Sequence, residues 1–264
     1  MFFGDREIRG LLRAAYRDLF RYPIVEKIRR NNGHTLDSSV IDPLFDVEQN
    51  RTRFLGMGNP SESGCHLLYY FRQENELPKE LFIHTHQIFK RDSAGSSSLR
   101  NDDIKRYVFL DDFCGSGQQG AEYSREVVEQ LKSLSPNCWV AYFVLFATER
   151  GIQRLKTQTS FDDVRAIYTL DSSFKCFGAD SRYFVTPLNT DDRTSCEKLC
   201  RKYGERLVSS PPNALGFDDS QLLIGFHHNV PDNTLPIIWF NQPDSSPWVP
   251  IFRRYPKMGM KISP

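Results

Sequence analysis

The sequence predicts an α/β domain built on a parallel sheet, with a helix ahead of it and an irregular part behind it. Three observations lead there. Apolar runs at residues 107–110, 140–146 and 164–170 alternate with stretches of helical spacing such as Tyr123, Val127, Val128, Leu131 and Leu134. The runs at 107–110 and 140–146 are apolar throughout and do not alternate, so both faces of the sheet should be covered. The 264-residue chain, 39% hydrophobic and 25% charged, is long enough and apolar enough for one core.

Taken in order, residues 5–21 read as an amphipathic helix carrying Ile8, Leu11, Leu12, Ala15, Tyr16, Leu19 and Phe20, ended or kinked at Pro23. Residues 54–58 are short and apolar and lead into a loop at 59–64; a helix follows from Cys65 to Glu74, and residues 81–85 read as a strand. Residues 90–105 are polar, rich in Ser and Gly and without periodicity, which predicts a long mobile loop. A short helix is expected at 151–156 and another helix at 194–207. Residues 222–226 and 235–239 read as edge strands, and Pro243, Pro247 and Pro250 make the tail irregular. The expected organisation is one domain over 1–264, with a helical segment at 1–50, a core at 51–171 and a completing part at 172–264.

A net charge of +1 offers no whole-protein field for DNA or an anionic membrane. The longest apolar stretch, residues 139–147, is far short of the roughly 20 residues a membrane span needs. The N-terminus carries no basic segment followed by an apolar one, and the six cysteines are scattered, so reduced thiols and a cytoplasmic location are expected.

Five Asp-Asp pairs occur, so a bare pair means little. Only Asp111-Asp112 follows an apolar strand and precedes a Gly-x-Gly turn, Cys114-Gly115-Ser116-Gly117, that opens a helix. Ligands of open α/β sheets bind outside the carboxyl ends of the strands. A glycine turn lets backbone N–H groups close on a phosphate, and the helix N-terminus adds partial positive charge. Two carboxylates beside a phosphate need a reason: ribose hydroxyls, which donate to them, or a Mg²⁺ bridging ligand oxygens. The plainer reading is an ordinary strand-turn-helix junction with solvated caps.

Residues 107–119 resemble the phosphoribosyl pyrophosphate (PRPP) motif of type I phosphoribosyltransferases: an apolar strand, two acidic residues, two mostly apolar residues and a small loop. The resemblance implies a Rossmann-like parallel sheet, with Asp111 and Asp112 on the ribose hydroxyls and meeting Mg²⁺ indirectly. It places Gly115, Ser116, Gly117, Gln118 and Gln119 around the 5′-phosphate. Ser61, Ser63 and Gly64 fall where the family holds pyrophosphate, and Lys90, Arg91 and Arg100 fall in its flexible loop. Gln118 and Gln119 depart from the usual Thr-rich ending. The chain is more similar still to a divergent phosphoribosyltransferase-like group of bacterial conflict systems, such as retron and other anti-phage loci. That similarity rests on the 111–117 motif, the stretch 64–78 with Tyr69-Tyr70-Phe71-Arg72-Gln73-Glu74-Asn75, and the late run from Asn229 through Pro231 to Trp239. It implies an effector in anti-phage defence that acts on a ribose-phosphate or nucleotide. The alternative is a catalytically inactive nucleotide-sensing or partner-binding module, and a defence protein or nucleoprotein is the expected partner.

Asn233 and Trp239 are the residues expected to meet a base or acceptor, although turn chemistry and a core Trp explain them as well. Cys196-x-x-x-Cys200, His84-x-His86 and His227-His228 lack a complete zinc set and read as structural. Cys114, near a helix N-terminus, has the position of a lowered-pKa thiol but no evident His partner. Arg9, Arg13, Arg17 and Arg21 form a basic stripe that is either a solvated face or a dock for nucleic acid or an acidic partner.

Overall fold

A computed structural model describes residues 1–58, 63–184, 190–208, 210–241 and 248–254. The strands are β1 (Phe2–Phe3), β2 (Thr52–Gly56), β3 (Phe89–Arg91), β4 (Ser97–Leu99), β5 (Arg106–Cys114), β6 (Trp139–Thr148), β7 (Asp163–Leu170) and β8 (Gly225–Phe226). The helices used below are α1 (Asp5–Ala14), α2 (Tyr22–Asn31), α3 (Ser38–Asn50), α4 (Ser63–Glu74), α5 (Gln118–Tyr123), α6 (Glu129–Leu134), α7 (Glu149–Gln158), α8 (Thr190–Val208) and α9 (Pro236–Trp239). The chain divides into two compact units, one of residues 9–169 and one of residues 1–8 with 170–264.

The first unit holds a four-stranded sheet in the order β2-β5-β6-β7. β5 pairs in parallel with β2 on one edge and with β6 on the other. Helices cover both faces, as the uninterrupted apolar strands require. On one face Phe54 of β2 meets Phe20 and Phe71, with ring centroids 5.0 and 5.2 Å apart. On the other, Phe109 of β5 meets Tyr123 at 5.3 Å and Phe161 at 6.0 Å, beside buried Val128, Leu131 and Leu155.

Several expectations need correction. The first helix does not stop at Pro23. A π-helical stretch, Ala15–Arg21, joins α1 to α2, and the Tyr22 N–H donates to Arg17 O five residues back. Pro23 then falls in the first turn of α2, where its missing N–H costs little. Residues 81–85 form no strand. Only Phe82 bridges to Phe54, and 3₁₀ turns at Lys79–Leu81 and Thr85–Gln87 flank it. The Gln87 N–H donates to His84 O and the Gln87 side chain accepts from the His84 N–H, each at 2.8 Å, so the backbone turns instead of extending. Part of the stretch 90–105 is the antiparallel hairpin β3-β4. Asp92 Oδ1 accepts from the N–H groups of Ala94 (2.9 Å) and Ser96 (2.8 Å), and Gly95 takes φ +82 to close it.

Among its described residues the second unit has little regular structure besides α8. Of the two expected edge strands, only Gly225–Phe226 forms, parallel to Phe2–Phe3. Residues 236–239 are the short helix α9: Pro236 suits a first helical turn, and the Trp239 indole N–H folds back to Thr234 O at 2.8 Å. Pro243 and Pro247 lie outside the described residues. Among the described residues no helix is long and apolar enough to cross a membrane.

Candidate ribose-phosphate site

β5 does not end before the acidic pair. The β2 ladder stops at Leu110, but the ladder to β6 continues through Asp111↔Val144, Phe113↔Phe146 and Cys114↔Ala147, so both carboxyls stand on a strand still held on its β6 side. The turn 115–117 is packed against the start of α7. Gly117 has φ +72, and a Cβ there would lie 2.8 Å from Gly151 O, so glycine is required twice over. Thr148 caps α7, accepting from Gly151 N–H at 3.0 Å, and its hydroxyl donates to Gly115 O at 2.6 Å. Arg154 donates to Ser116 O at 2.9 Å. With trans peptides throughout, the Gly115 carbonyl aimed at α7 turns the Ser116 N–H the opposite way. Ser116 Oγ accepts from Gln118 N–H at 3.3 Å. The Gln118 amide donates to Glu122 at 2.9 Å, and Gln119 is exposed.

The acidic pair is not symmetric. Asp111 accepts from the Tyr142 hydroxyl at Oδ2 (2.8 Å) and from the Asp112 N–H at Oδ1 (3.0 Å). Burial, and next the neighbouring Asp112 carboxylate, hold the Asp111 carboxyl well above the ordinary aspartate range. Asp112 is 7% exposed. A raised folded-state pKa supplies stability that is complete below the unfolded aspartate pKa and is lost as pH rises through the folded value. Asp111→Asn is therefore expected to gain stability relative to the parent chain as pH is raised from about 4 towards neutrality. Urea midpoints of the two proteins across pH test this, and parallel curves would sink it.

Burial also pushes the Cys114 thiol up to about 12, so the helix terminus does not activate it. At neutral pH Cys114 should resist iodoacetamide while exposed Cys196 reacts, as peptide mass mapping would read. Early labelling of Cys114 in folded protein would contradict this.

The other expected site residues are scattered. Ser61 lies outside the described residues, as does the side chain of Ser63. Gly64 is buried, and a Cβ there would lie 2.6 Å from Met57 O and 3.1 Å from Leu110 O; it lets α4 close onto the ends of β2 and β5. Lys90 and Arg91 stand on β3 and Arg100 follows β4, all exposed. A cavity of about 550 Å³ at the carboxyl end of β2 is lined by Gly58, His84, His86, Phe89, Tyr123 and Glu126 among others. Sequence reasoning missed it because its lining comes from three separate segments.

Asn233 and Trp239 belong to the second unit, and the structure gives both a structural use. Asn233 is 4% exposed and its amide donates to Ser220 Oγ at 2.7 Å. Trp239 lies under Arg254, 5.2 Å from the ring centroid, with its N–H committed to Thr234 O. The arginine stripe is largely paired: Arg9 and Arg13 with Glu74, Arg17 with Asp18 at 2.7 Å and Arg21 near Asp42 at 3.8 Å. Among the described residues no three His, Cys, Asp or Glu side chains converge on a metal position.

The family model PRTase-CE matches residues 1–254. The chain belongs to the PRTase-CE family. No curated protein matches it. Solved structures similar to this PRTase-CE protein include orotate phosphoribosyltransferase from Aeropyrum pernix, 17% identical, covering 50% of this chain and 72% of that one with a TM-score of 0.29. Xanthine-guanine-hypoxanthine phosphoribosyltransferase of Helicobacter pylori is 12% identical, with 64% and 88% covered and a TM-score of 0.29. For the AQ2163 protein of Aquifex aeolicus the identity is 15% and the TM-score 0.31; the match covers 47% of this chain and spans only 56% of that protein. The PRTase-CE chain is thus phosphoribosyltransferase-like, with a mixed α/β fold on a parallel central sheet.

Proposed function

We propose that this PRTase-CE protein binds PRPP or a related ribose-phosphate nucleotide at the carboxyl end of β5 and acts at its anomeric carbon, as an effector in anti-phage defence. The observation that carries the binding is the turn 115–117: Thr148 and Arg154 draw its carbonyls towards α7, and the Ser116 N–H is thereby turned away from α7. Such a preorganised donor suits a phosphate oxygen. The cationic side chains on the β3-β4 hairpin, Lys90 and Arg91, supply charge for a departing pyrophosphate. In the reaction the bond from C1 to the pyrophosphate oxygen breaks with its electron pair, and C1 gains oxocarbenium character. An acceptor nucleophile or water then forms the new bond and gives up its proton. The cavity beside β2 has room for an acceptor. The defence role follows from the family resemblance in the acidic motif and the late run ending at Trp239.

A magnesium site built by the protein alone does not fit. Both Asp111 oxygens already accept hydrogen bonds, and burial beside the Asp112 carboxylate disfavours the ionised form, whereas Mg²⁺ demands ionised oxygens in near-octahedral geometry. The same engagement of Asp111 favours a second reading, a nucleotide sensor without turnover, because a carboxyl whose ionised form is disfavoured stabilises an oxocarbenium centre poorly.

Calorimetric titration with PRPP tests the binding. The parent chain should bind, and Asp111→Asn/Asp112→Asn should weaken binding at least tenfold, about 1.4 kcal/mol. Equal binding by both proteins would remove the acidic pair from the site. Release of pyrophosphate, followed by ³¹P NMR, separates enzyme from sensor. Loss of phage protection in cells carrying the double variant, at unchanged protein level, tests the defence role.

A further inference from the structure

β6 is apolar almost throughout, and Tyr142 is its one polar interruption before Thr148. Its ring is 1% exposed and packs 5.6 Å from Phe161, so its bulk alone would be served by phenylalanine. The hydroxyl is what phenylalanine lacks, and it reaches across the ladder to Asp111 Oδ2 at 2.8 Å. Phe109 is the residue directly opposite Tyr142, and Asp111 follows two places on along the same face of β5. Asp112 N–H takes the other oxygen at 3.0 Å. Two fixed donors, one on each oxygen, leave the carboxyl a single orientation. Whether ionised or protonated, the carboxyl keeps acceptor capacity beyond these two bonds.

We propose that Tyr142 is a positioning residue that sets sugar selectivity: it fixes the Asp111 carboxyl so that a remaining lone pair meets the 2-hydroxyl of a ribose 5-phosphate. The inference rests on the ribose-phosphate reading of the site. It goes beyond that reading by assigning the discrimination between ribose and 2-deoxyribose to a side chain that itself touches neither.

The test is calorimetric titration of the full chain with ribose 5-phosphate and with 2-deoxyribose 5-phosphate. The parent chain should prefer the ribose form. Tyr142→Phe should compress the ratio of the two dissociation constants by about tenfold, chiefly by weakening the ribose form. A merely structural role would weaken both sugars equally, and that result, or an unchanged ratio, overturns the proposal. If Tyr142→Phe fails to fold, Asp111→Asn still decides: Asn keeps one oxygen for the Tyr142 hydroxyl but loses the second acceptor. Asp111→Asn should compress the ratio as well, and full selectivity in that variant leaves Tyr142 nothing to act through. A parent chain that binds neither sugar brings down the ribose-phosphate reading and this inference together. Selective binding that survives both variants overturns this inference alone.

Discussion

Gly151→Ala is expected to reduce PRPP affinity roughly a hundredfold and to cost about 1–3 kcal/mol of stability. The added methyl carbon would lie 2.4 Å from Gly115 O and 3.0 Å from both Cys114 O and its sulfur. Two of those three atoms are backbone, so no side chain can swing aside to make room. Either α7 backs away from the sheet or the turn 115–117 moves. In both cases the bonds from Thr148 and Arg154 to the turn lengthen, and the turn's donors lose their aim. Gly10→Ala is the control. It too lies in a helix, but its nearest contact is the flexible Arg13 guanidinium at 3.9 Å, so it should gain about 0.5–1 kcal/mol and leave binding alone. Titration and urea denaturation of the two variants check the contrast; equal behaviour would mean that α7 does not shape the turn.

Gly204→Ala should be the most destabilising single methyl in the second unit, at about 3 kcal/mol, the upper end for overpacking. Glycine in the middle of a helix such as α8 is ordinarily improved by alanine by about 1 kcal/mol, so the sign itself is diagnostic. Here the new carbon would stand 1.9 Å from Ala214 O and 2.8 Å from Ala214 C. Backbone meets backbone, and relief requires α8 to part from the segment around Ala214. Trp239 and Trp248 lie in the same unit, and Tyr203, next to Gly204, is 5.4 Å from Trp248, so tryptophan emission during urea unfolding reports the loss. A variant as stable as the parent chain would show that this close approach is not kept in solution.

The sheet was legible because its strands are unbroken apolar runs, and the acidic pair stood out by its place between such a run and a glycine turn. Where local backbone chemistry overrode the apolar pattern, the reading failed. Residues 81–85 look like a strand, yet the reciprocal bonds between His84 and Gln87 bend them. Residues 235–239 look the same, and Pro236 converts them to a helical turn. α3 was legible only as part of the helical segment expected over 1–50, because Pro43 sits inside it; its one clear mark is Asp37, whose carboxylate caps the helix through Ser39 N–H at 2.9 Å. The site's finer features were out of reach for a different reason. Tyr142 and Gly151 act on Asp111 and Gly115 only after separate segments meet, and neither has a local signature.

The ladder order also dictates when the site can exist. β2 reaches its partner only when Arg106 pairs with Thr52, and β5 gains its second edge only when Trp139 pairs with Arg106. Such distant pairings close slowly, because loop entropy is lost before any contact repays it. During synthesis β2 emerges well ahead of β5, and the turn at the end of β5 precedes the helix that shapes it. A nascent chain released short of Gly151 would carry the whole acidic motif without the wall that gives the turn 115–117 its form.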